Sequence, residues 1–141
     1  MGRAASATEA VSCIRSNHRV FVQGGVATPT VLVDALVEQS ERLQDCEIMH
    51  LHTEGQEALY ANPEYENKFE VANLFLGANM RRKFDGDRVD YLPCFLSEIP
   101  ALFRSGRRKI DVAMVHLSSP DAHGLCSLGT SVDVARAAVQ S

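Results

Sequence analysis

Two adjacent glycines, Gly24 and Gly25, stand between an apolar run and a helical pattern. Residues 20–22 before them are β-branched or aromatic, as in a buried strand. Thr28 is predicted to cap the following helix, with Pro29 as its first residue. Residues without a Cβ allow a sharp turn and close approach to a ligand, and N–H groups at such a turn suit a carboxylate, phosphate or thioester oxygen. The same pattern also occurs in plain strand–helix connections.

Three further residues that could do chemistry, His50, His52 and Glu54, alternate at the end of another predicted strand. Alternate residues of a strand share a face, so these three could hold a metal ion. A hydrogen-bonding cluster is favoured, because no other residues complete a ligand set. Glu54 could also serve as a nucleophile or general base, but hydrogen bonding to backbone N–H groups in a tight loop is favoured. We therefore predict no metal site.

His123 lies close to Asp121 and Gly124 and could act as a general base. However, no serine or cysteine nucleophile is paired with it by spacing, and there is no G-x-S-x-G motif. We expect His123 to organise its loop. Residues 23–25 do not form G-x-G-x-x-G and no Walker pattern occurs, so a nucleotide site is not supported.

Strands and helices are predicted to alternate along the chain and to position these residues. Strands are predicted at 20–22, 47–52, 74–76, 90–93 and 110–117, with short extended pieces at 69–71 and 125–129. Helices are predicted at 4–15, 29–43, 80–84, 97–104 and 132–140. The alternation predicts an α/β fold with an open, mainly parallel sheet and helices on both faces. Ligands of such sheets bind at the carboxyl ends of the strands, where polar residues collect in this sequence.

Composition predicts a single soluble domain. The chain has 141 residues, of which 45% are hydrophobic and 23% charged, with a formal net charge of −4. This balance argues against nucleic-acid binding. No apolar run is long enough to cross a membrane and no signal peptide is recognised, so we expect a cytoplasmic protein without a membrane partner. The widely spaced cysteines are predicted to be buried free thiols: Cys13, Cys46, Cys94 and Cys126.

Five stretches of the sequence together carry a resemblance to a known family. They are residues 22–29, 50–55, 74–81, 94–103 and 119–133. In this order they resemble the amino-terminal domain of the acetyl-CoA hydrolase/transferase family, which includes acetate, butyrate and 4-hydroxybutyrate CoA-transferases. The resemblance covers nearly the whole chain, and its last stretch is the most specific. It implies an open α/β fold of the CoA-transferase type, built as two similar halves.

The resemblance implies an enzyme that moves coenzyme A from an acyl-CoA to a small carboxylate. A family glutamate attacks the thioester, giving an acyl-glutamyl anhydride and then a glutamyl-CoA thioester. That glutamate lies in the carboxyl-terminal half, which we take to be absent from residues 1–141. Glu54 and Glu98 match other motifs, so no catalytic residue is expected in this chain. Coenzyme A would be a substrate, with no covalently bound cofactor; the acceptor could be a carboxylate or water.

The resemblance also implies that loops of this chain line the acyl or carboxylate pocket, with N–H groups that stabilise developing oxygen charge. The expected substrate-binding residues are Gln23, Gly24, Gly25, Ala27, Pro29, Asn79, Pro120, His123 and Gly124. The chain alone is expected to be inactive. Without its partner half it would expose apolar surface and associate as a homo-oligomer. The alternative is a non-catalytic binding or assembly domain with the same fold.

Overall fold

The computed structural model describes residues 6–53, 59–83 and 85–141. Within these ranges five strands form one sheet in the order β4-β3-β2-β1-β5, and every neighbouring pair is parallel. The strands are β1 (Arg19–Val22), β2 (Cys46–His50), β3 (Phe69–Asn73), β4 (Val89–Tyr91) and β5 (Val112–Met114). The predicted open parallel sheet is confirmed.

Five short helices lie before, between and after the strands of the sheet in the described residues. They are α1 (Ala7–Val11), α2 (Thr30–Glu38), α3 (Ala78–Arg81), α4 (Ile99–Arg104) and α5 (Ala135–Val139). Single 3₁₀ turns lie at Ser40–Arg42, Leu59–Ala61, Pro63–Tyr65 and Leu96–Glu98. None of the helices in the described part of the chain has the length and apolar character needed to span a membrane.

The helices cover both faces of the sheet because successive side chains of a strand point in opposite directions. Val20 and Val22 of β1 pack in a core that contains Val11 of α1 and Leu36 of α2. Phe21, between them, packs in a second core formed with α4 and α5, in which Ile99, Phe103, Ala135, Ala137 and Ala138 are buried. The predicted arrangement of helices is therefore confirmed.

The strand ends differ from the prediction, most clearly for the third and the last strand. The third strand ends at Asn73; residues 74–76, predicted as a strand, leave the sheet after the Leu74 N–H donates to the His50 carbonyl at 2.8 Å. The last strand ends at Met114 and not at residue 117. Beyond Met114, the N–H of His116 donates to the Gln23 side chain and not to the backbone of β1. Residues 125–129 lie in a loop without strand pairing.

The helix boundaries also differ from the prediction. Helix α2 begins at Thr30, and Pro29 caps it by accepting hydrogen bonds from the N–H groups of the first turn. The Thr28 hydroxyl donates instead to the Gly25 carbonyl at 2.8 Å. The last helix begins at Ala135, well after the predicted cap at Ser131.

The four cysteines are free thiols, as predicted, but they are not all buried. Cys46 is buried and Cys94 is half-buried, whereas Cys13 and Cys126 are exposed. The prediction of burial was therefore wrong for the last two, which lie in a turn after α1 and in the loop after β5.

We predict that Phe21→Ala lowers the free energy of unfolding by about 3 to 5 kcal/mol, because it leaves a cavity in the second core. The Phe21 ring is 1% exposed and meets the Phe103 ring edge-on, with centroids 5.8 Å apart. Urea unfolding measures the loss. Phe95→Ala is the control, since Phe95 is 76% exposed; equal losses in the two variants would contradict this account of the core.

Candidate active site at the carboxyl edge of the sheet

The two glycines after β1 lie directly against the chain that follows β2. A Cβ on Gly24 would collide with the carbonyl of His52. Gly25 donates its N–H to the same carbonyl at 3.0 Å and pairs with Thr53 in an isolated bridge. Gly25 has φ of +59°, and a Cβ there would lie 2.8 Å from the Ser131 hydroxyl oxygen. Gly24 therefore leaves no room for a Cβ, and a side chain at Gly25 is disfavoured by both the positive φ and the contact with Ser131.

A third loop, after β3, joins this contact through Asn79. Its side-chain amide donates to the Thr53 carbonyl at 2.9 Å, while its Oδ1 accepts from the N–H of Met80. Gly77 packs behind it: a Cβ there would lie 3.0 Å from Asn79 Oδ1 and 3.3 Å from His52 Cβ. Gly24, Gly25 and Asn79, predicted to converge, therefore lie in one connected set of contacts, which we call the rim.

Gln23 fastens the loop after β5 to β1. Its side chain is fully buried. Its Oε1 accepts from the N–H of His116 at 2.8 Å, and its Nε2 donates to the Ser131 carbonyl at 2.8 Å. Its backbone N–H donates to the carbonyl of Met114. The amide thus holds the chain just before and just after residues 117–130, a positioning role that the pattern of residues did not indicate.

Pro120, His123 and Gly124 lie in that loop and are exposed. The carboxylate of Asp121 organises it, since Oδ1 accepts from the N–H groups of His123 and Leu125 at 2.8 and 2.9 Å. The hydrogen bonds formed around these three residues stay within the loop. The Gln23 amide connects the two ends of this loop to β1, next to the rim. The structure therefore joins Gln23, Gly24, Gly25 and Asn79 directly, and the three loop residues only through the chain that carries them.

An apolar cleft lies beside the glycines, at the start of α2. Its volume is about 320 Å³, and it is lined by residues 28–32 and 115–117. The cleft therefore lies between β1 and β5. The strand order reverses here, since β2 lies on one side of β1 and β5 on the other, and ligands of open α/β sheets usually bind at such a point. The predicted residues Ala27 and Pro29 are both buried next to it, and Val31 and Leu117 are exposed at its edge.

His50 lies beneath the rim in a buried polar network. Its Nε2 is 2.8 Å from Asn73 Oδ1, and its Nδ1 is 3.2 Å from both the Thr53 hydroxyl and the Tyr60 hydroxyl. Burial lowers the pKa of His50 to about 4, so the ring is neutral near pH 7. Burial likewise raises the pKa of Tyr60.

Of the predicted trio His50, His52 and Glu54, the two histidines lie in different environments. His50 is fully buried, whereas His52 is half-exposed at the rim, where its ring meets that of Phe75 edge-on at 6.4 Å. Glu54 lies outside the described residues. Within residues 6–53, 59–83 and 85–141, no three histidine, cysteine or acidic side chains are grouped as metal ligands.

The family model of the acetyl-CoA hydrolase/transferase N-terminal domain matches residues 2–141. The chain belongs to this family. A succinyl-CoA:acetate/propanoyl-CoA:succinate CoA transferase of Fasciola hepatica is 42% identical over 140 residues, which are 98% of this chain and 29% of that protein. A 4-hydroxybutyrate coenzyme A transferase of Clostridium kluyveri is 36% identical over 136 residues, 96% of this chain and 32% of that protein.

Two solved structures share the fold. RipA from Yersinia pestis has a TM-score of 0.80 at 26% identity, over 89% of this chain and 31% of that one. A 4-hydroxybutyrate CoA-transferase from Porphyromonas gingivalis has a TM-score of 0.76 at 28% identity, over 96% of this chain and 30% of that one. The chain thus spans about a third of the length of the relatives it matches.

We predict that this acetyl-CoA hydrolase/transferase domain loses stability as the pH falls from about 6.5 to about 4. The pKa of His50 is lower in the folded than in the unfolded state, so acid protonates the unfolded state first. The loss is on the order of 3 kcal/mol. Urea unfolding at several pH values measures it, and His50→Asn should flatten the dependence.

His123→Asn is the control for this prediction, because His123 is exposed. It should leave the pH dependence of unfolding unchanged between pH 4 and 6.5. A slope that survives His50→Asn would show that other groups carry the acid sensitivity.

Proposed function

We propose that residues 1–141 form the amino-terminal domain of a CoA-transferase, which moves coenzyme A between an acyl-CoA and a short-chain carboxylate. The rim carries this proposal: in a chain of this family, the segments after β1, β2 and β3 meet at the carboxyl edge of the sheet, and the closest contact, at Gly24, leaves no room for a side chain. The names of the relatives, all CoA transferases, support the same chemistry.

In the proposed reaction the nucleophile is a glutamate supplied by a carboxyl-terminal half. Its carboxylate attacks the carbonyl carbon of the acyl-CoA, and the CoA thiolate leaves, which forms an anhydride. The thiolate then attacks the glutamyl carbonyl and releases the acyl group as a carboxylate. The acceptor carboxylate reverses these steps. Each attack places negative charge on a carbonyl oxygen, which hydrogen-bond donors must stabilise.

The turn from Gly25 to Thr28 supplies donors for this oxygen in our proposal. The N–H of Gly25 is already bonded to the His52 carbonyl. The turn is closed by the N–H of Thr28, which donates to the Gly25 carbonyl at 3.2 Å. The N–H groups of the two central residues, Val26 and Ala27, do not take part in that closing bond. We assign the oxygen-binding role to them.

The apolar cleft beside this turn would hold the acyl chain. Its volume of about 320 Å³ lies at the small end of ligand pockets, which suits a short acyl group. Val31 and Leu117 at its edge are apolar, so they favour a hydrocarbon chain over a charged group.

The proposed function is tested with the longer protein that contains this domain. The protein is incubated with acetyl-CoA or succinyl-CoA and a second carboxylate, and the acyl-CoA products are identified by mass spectrometry. A new acyl-CoA supports a transferase. Release of free coenzyme A without a new thioester would indicate a hydrolase, and no reaction with any pair would contradict the proposal.

We predict that Gly25→Val in the longer protein lowers turnover by about 100-fold or more, because the side chain displaces the turn from Ser131 and the reacting groups. Gly86→Val is the matched control. Gly86 also has positive φ, at +79°, but a Cβ there has nothing within 4 Å. Both variants carry the same type of backbone strain, so wild-type turnover in Gly25→Val would refute the pocket assignment.

We predict that the 141-residue chain alone cleaves no thioester above background, because the nucleophile lies elsewhere in our proposal. The measurement is release of free thiol from acetyl-CoA, detected with a colorimetric thiol reagent. Chain heated past its unfolding temperature is the control for spontaneous hydrolysis. Robust cleavage would mean that a nucleophile lies within these residues.

A further inference from the structure

Thr53 is the residue at which the parts of the rim meet. Its backbone pairs with Gly25, and its carbonyl accepts from the side chain of Asn79. Its hydroxyl lies 3.2 Å from Nδ1 of the buried His50. One residue therefore contacts two loops of the proposed site and the polar network beneath them.

The neighbours of His50 determine which ring nitrogen carries the proton. The Asn73 amide nitrogen donates to the Asp90 carbonyl at 2.8 Å, so its Oδ1 faces His50 and can only accept. Nε2 of His50 must therefore be the donor. Nδ1 is then the acceptor, and it receives a hydrogen bond from a hydroxyl of Thr53 or Tyr60.

The rim has little room to absorb a displacement of Thr53. Gly24 touches the carbonyl of the preceding residue, His52, with no space for a Cβ. The Gly77 contact is less tight but still close, since a Cβ there would lie 3.0 Å from Asn79 Oδ1 and 3.3 Å from His52 Cβ. A shift of residues 52–53 must therefore move the turn after β1 and the Asn79 loop with it.

We infer that His50 is a positioning residue for the proposed reaction: its Nδ1 fixes Thr53, and Thr53 aims the Gly25 turn and Asn79 at the substrate. This inference rests on the proposed function, because it assigns a role in turnover. His50 has no exposed surface and both ring nitrogens are engaged, so it acts through Thr53 and does not touch substrate.

Two substitutions of His50 separate its two hydrogen bonds. The carboxamide of asparagine reaches as far as the position of Nδ1, so His50→Asn can still offer an acceptor to Thr53. The longer glutamine reaches the position of Nε2, so His50→Gln can still donate to Asn73 but leaves Thr53 without its acceptor. Both variants lose one buried hydrogen bond, and their stabilities are compared by urea unfolding.

In the longer protein we expect kcat to fall about 10- to 100-fold further in His50→Gln than in His50→Asn. KM for the acyl-CoA should change by less than about threefold, since bound substrate retains its contacts. Equal kcat values in two variants of equal stability would overturn the inference, because a purely structural role predicts no difference between them.

A second pair of variants tests the Thr53 hydroxyl itself. Thr53→Val keeps the shape of the side chain but cannot donate, whereas Thr53→Ser keeps the hydroxyl. We expect Thr53→Val to lower kcat as His50→Gln does, and Thr53→Ser to restore most of it. Combining Thr53→Val with His50→Gln should add little further loss, because both remove the same bond. Additive losses, or wild-type kcat in Thr53→Val, would overturn the inference.

A measurement without turnover separates this inference from the proposed function. Hydrogen exchange of the Gly25 N–H, followed by NMR in the 141-residue chain, should be about 10-fold faster in His50→Gln than in His50→Asn. If the longer protein transfers no coenzyme A, the proposed function fails. The exchange rate of the Gly25 N–H then still tests whether His50 positions the rim. Equal exchange rates would overturn the inference whatever the activity.

Discussion

The contact between the Gly24 backbone and the His52 carbonyl is the constraint on which the carboxyl edge depends. It brings the chain after β1 against the chain after β2, at a distance that no side chain allows. The bridge between Gly25 and Thr53 and the Asn79 hydrogen bond then extend this contact across three loops. Because the Gly24 contact joins backbone to backbone, the spacing of these two chain segments does not depend on a flexible side chain.

The two ends of the sheet differ in their electrostatics. Near the amino ends of the strands, Glu47 forms ion pairs with Arg19 and Arg108, each at 2.7 Å. At the carboxyl end the buried polar side chains are neutral: Gln23, His50, Thr53 and Asn73. A neutral, hydrogen-bonded edge offers fixed dipoles to a carboxylate or a developing oxygen charge without presenting a competing ion. A carboxyl end whose buried polar side chains are neutral suits a site whose ligands are themselves anions.

Local sequence patterns predicted the parts of this arrangement that depend on neighbours in the chain. The apolar run before Gly24 correctly predicted a strand. Residues 74–76 were equally apolar, but pairing with β2 ends at Asn73. The hydrogen bonds of Gln23 join residues 93 and 108 positions away, which periodicity cannot reveal. The hydrogen bond between His50 and Asn73 likewise depends on the register of β2 against β3, which the sequence pattern did not predict.

The buried polar side chains next to the rim limit what this domain can contribute to a reaction. His50 would be the natural proton carrier, yet both its nitrogens are engaged and burial lowers its pKa to about 4. The Gln23 amide is committed to two backbone groups. Both therefore act on geometry, by holding loops in place. In the reaction that we propose, the nucleophile is a carboxylate from outside these residues, and this domain would contribute by orienting substrate toward it.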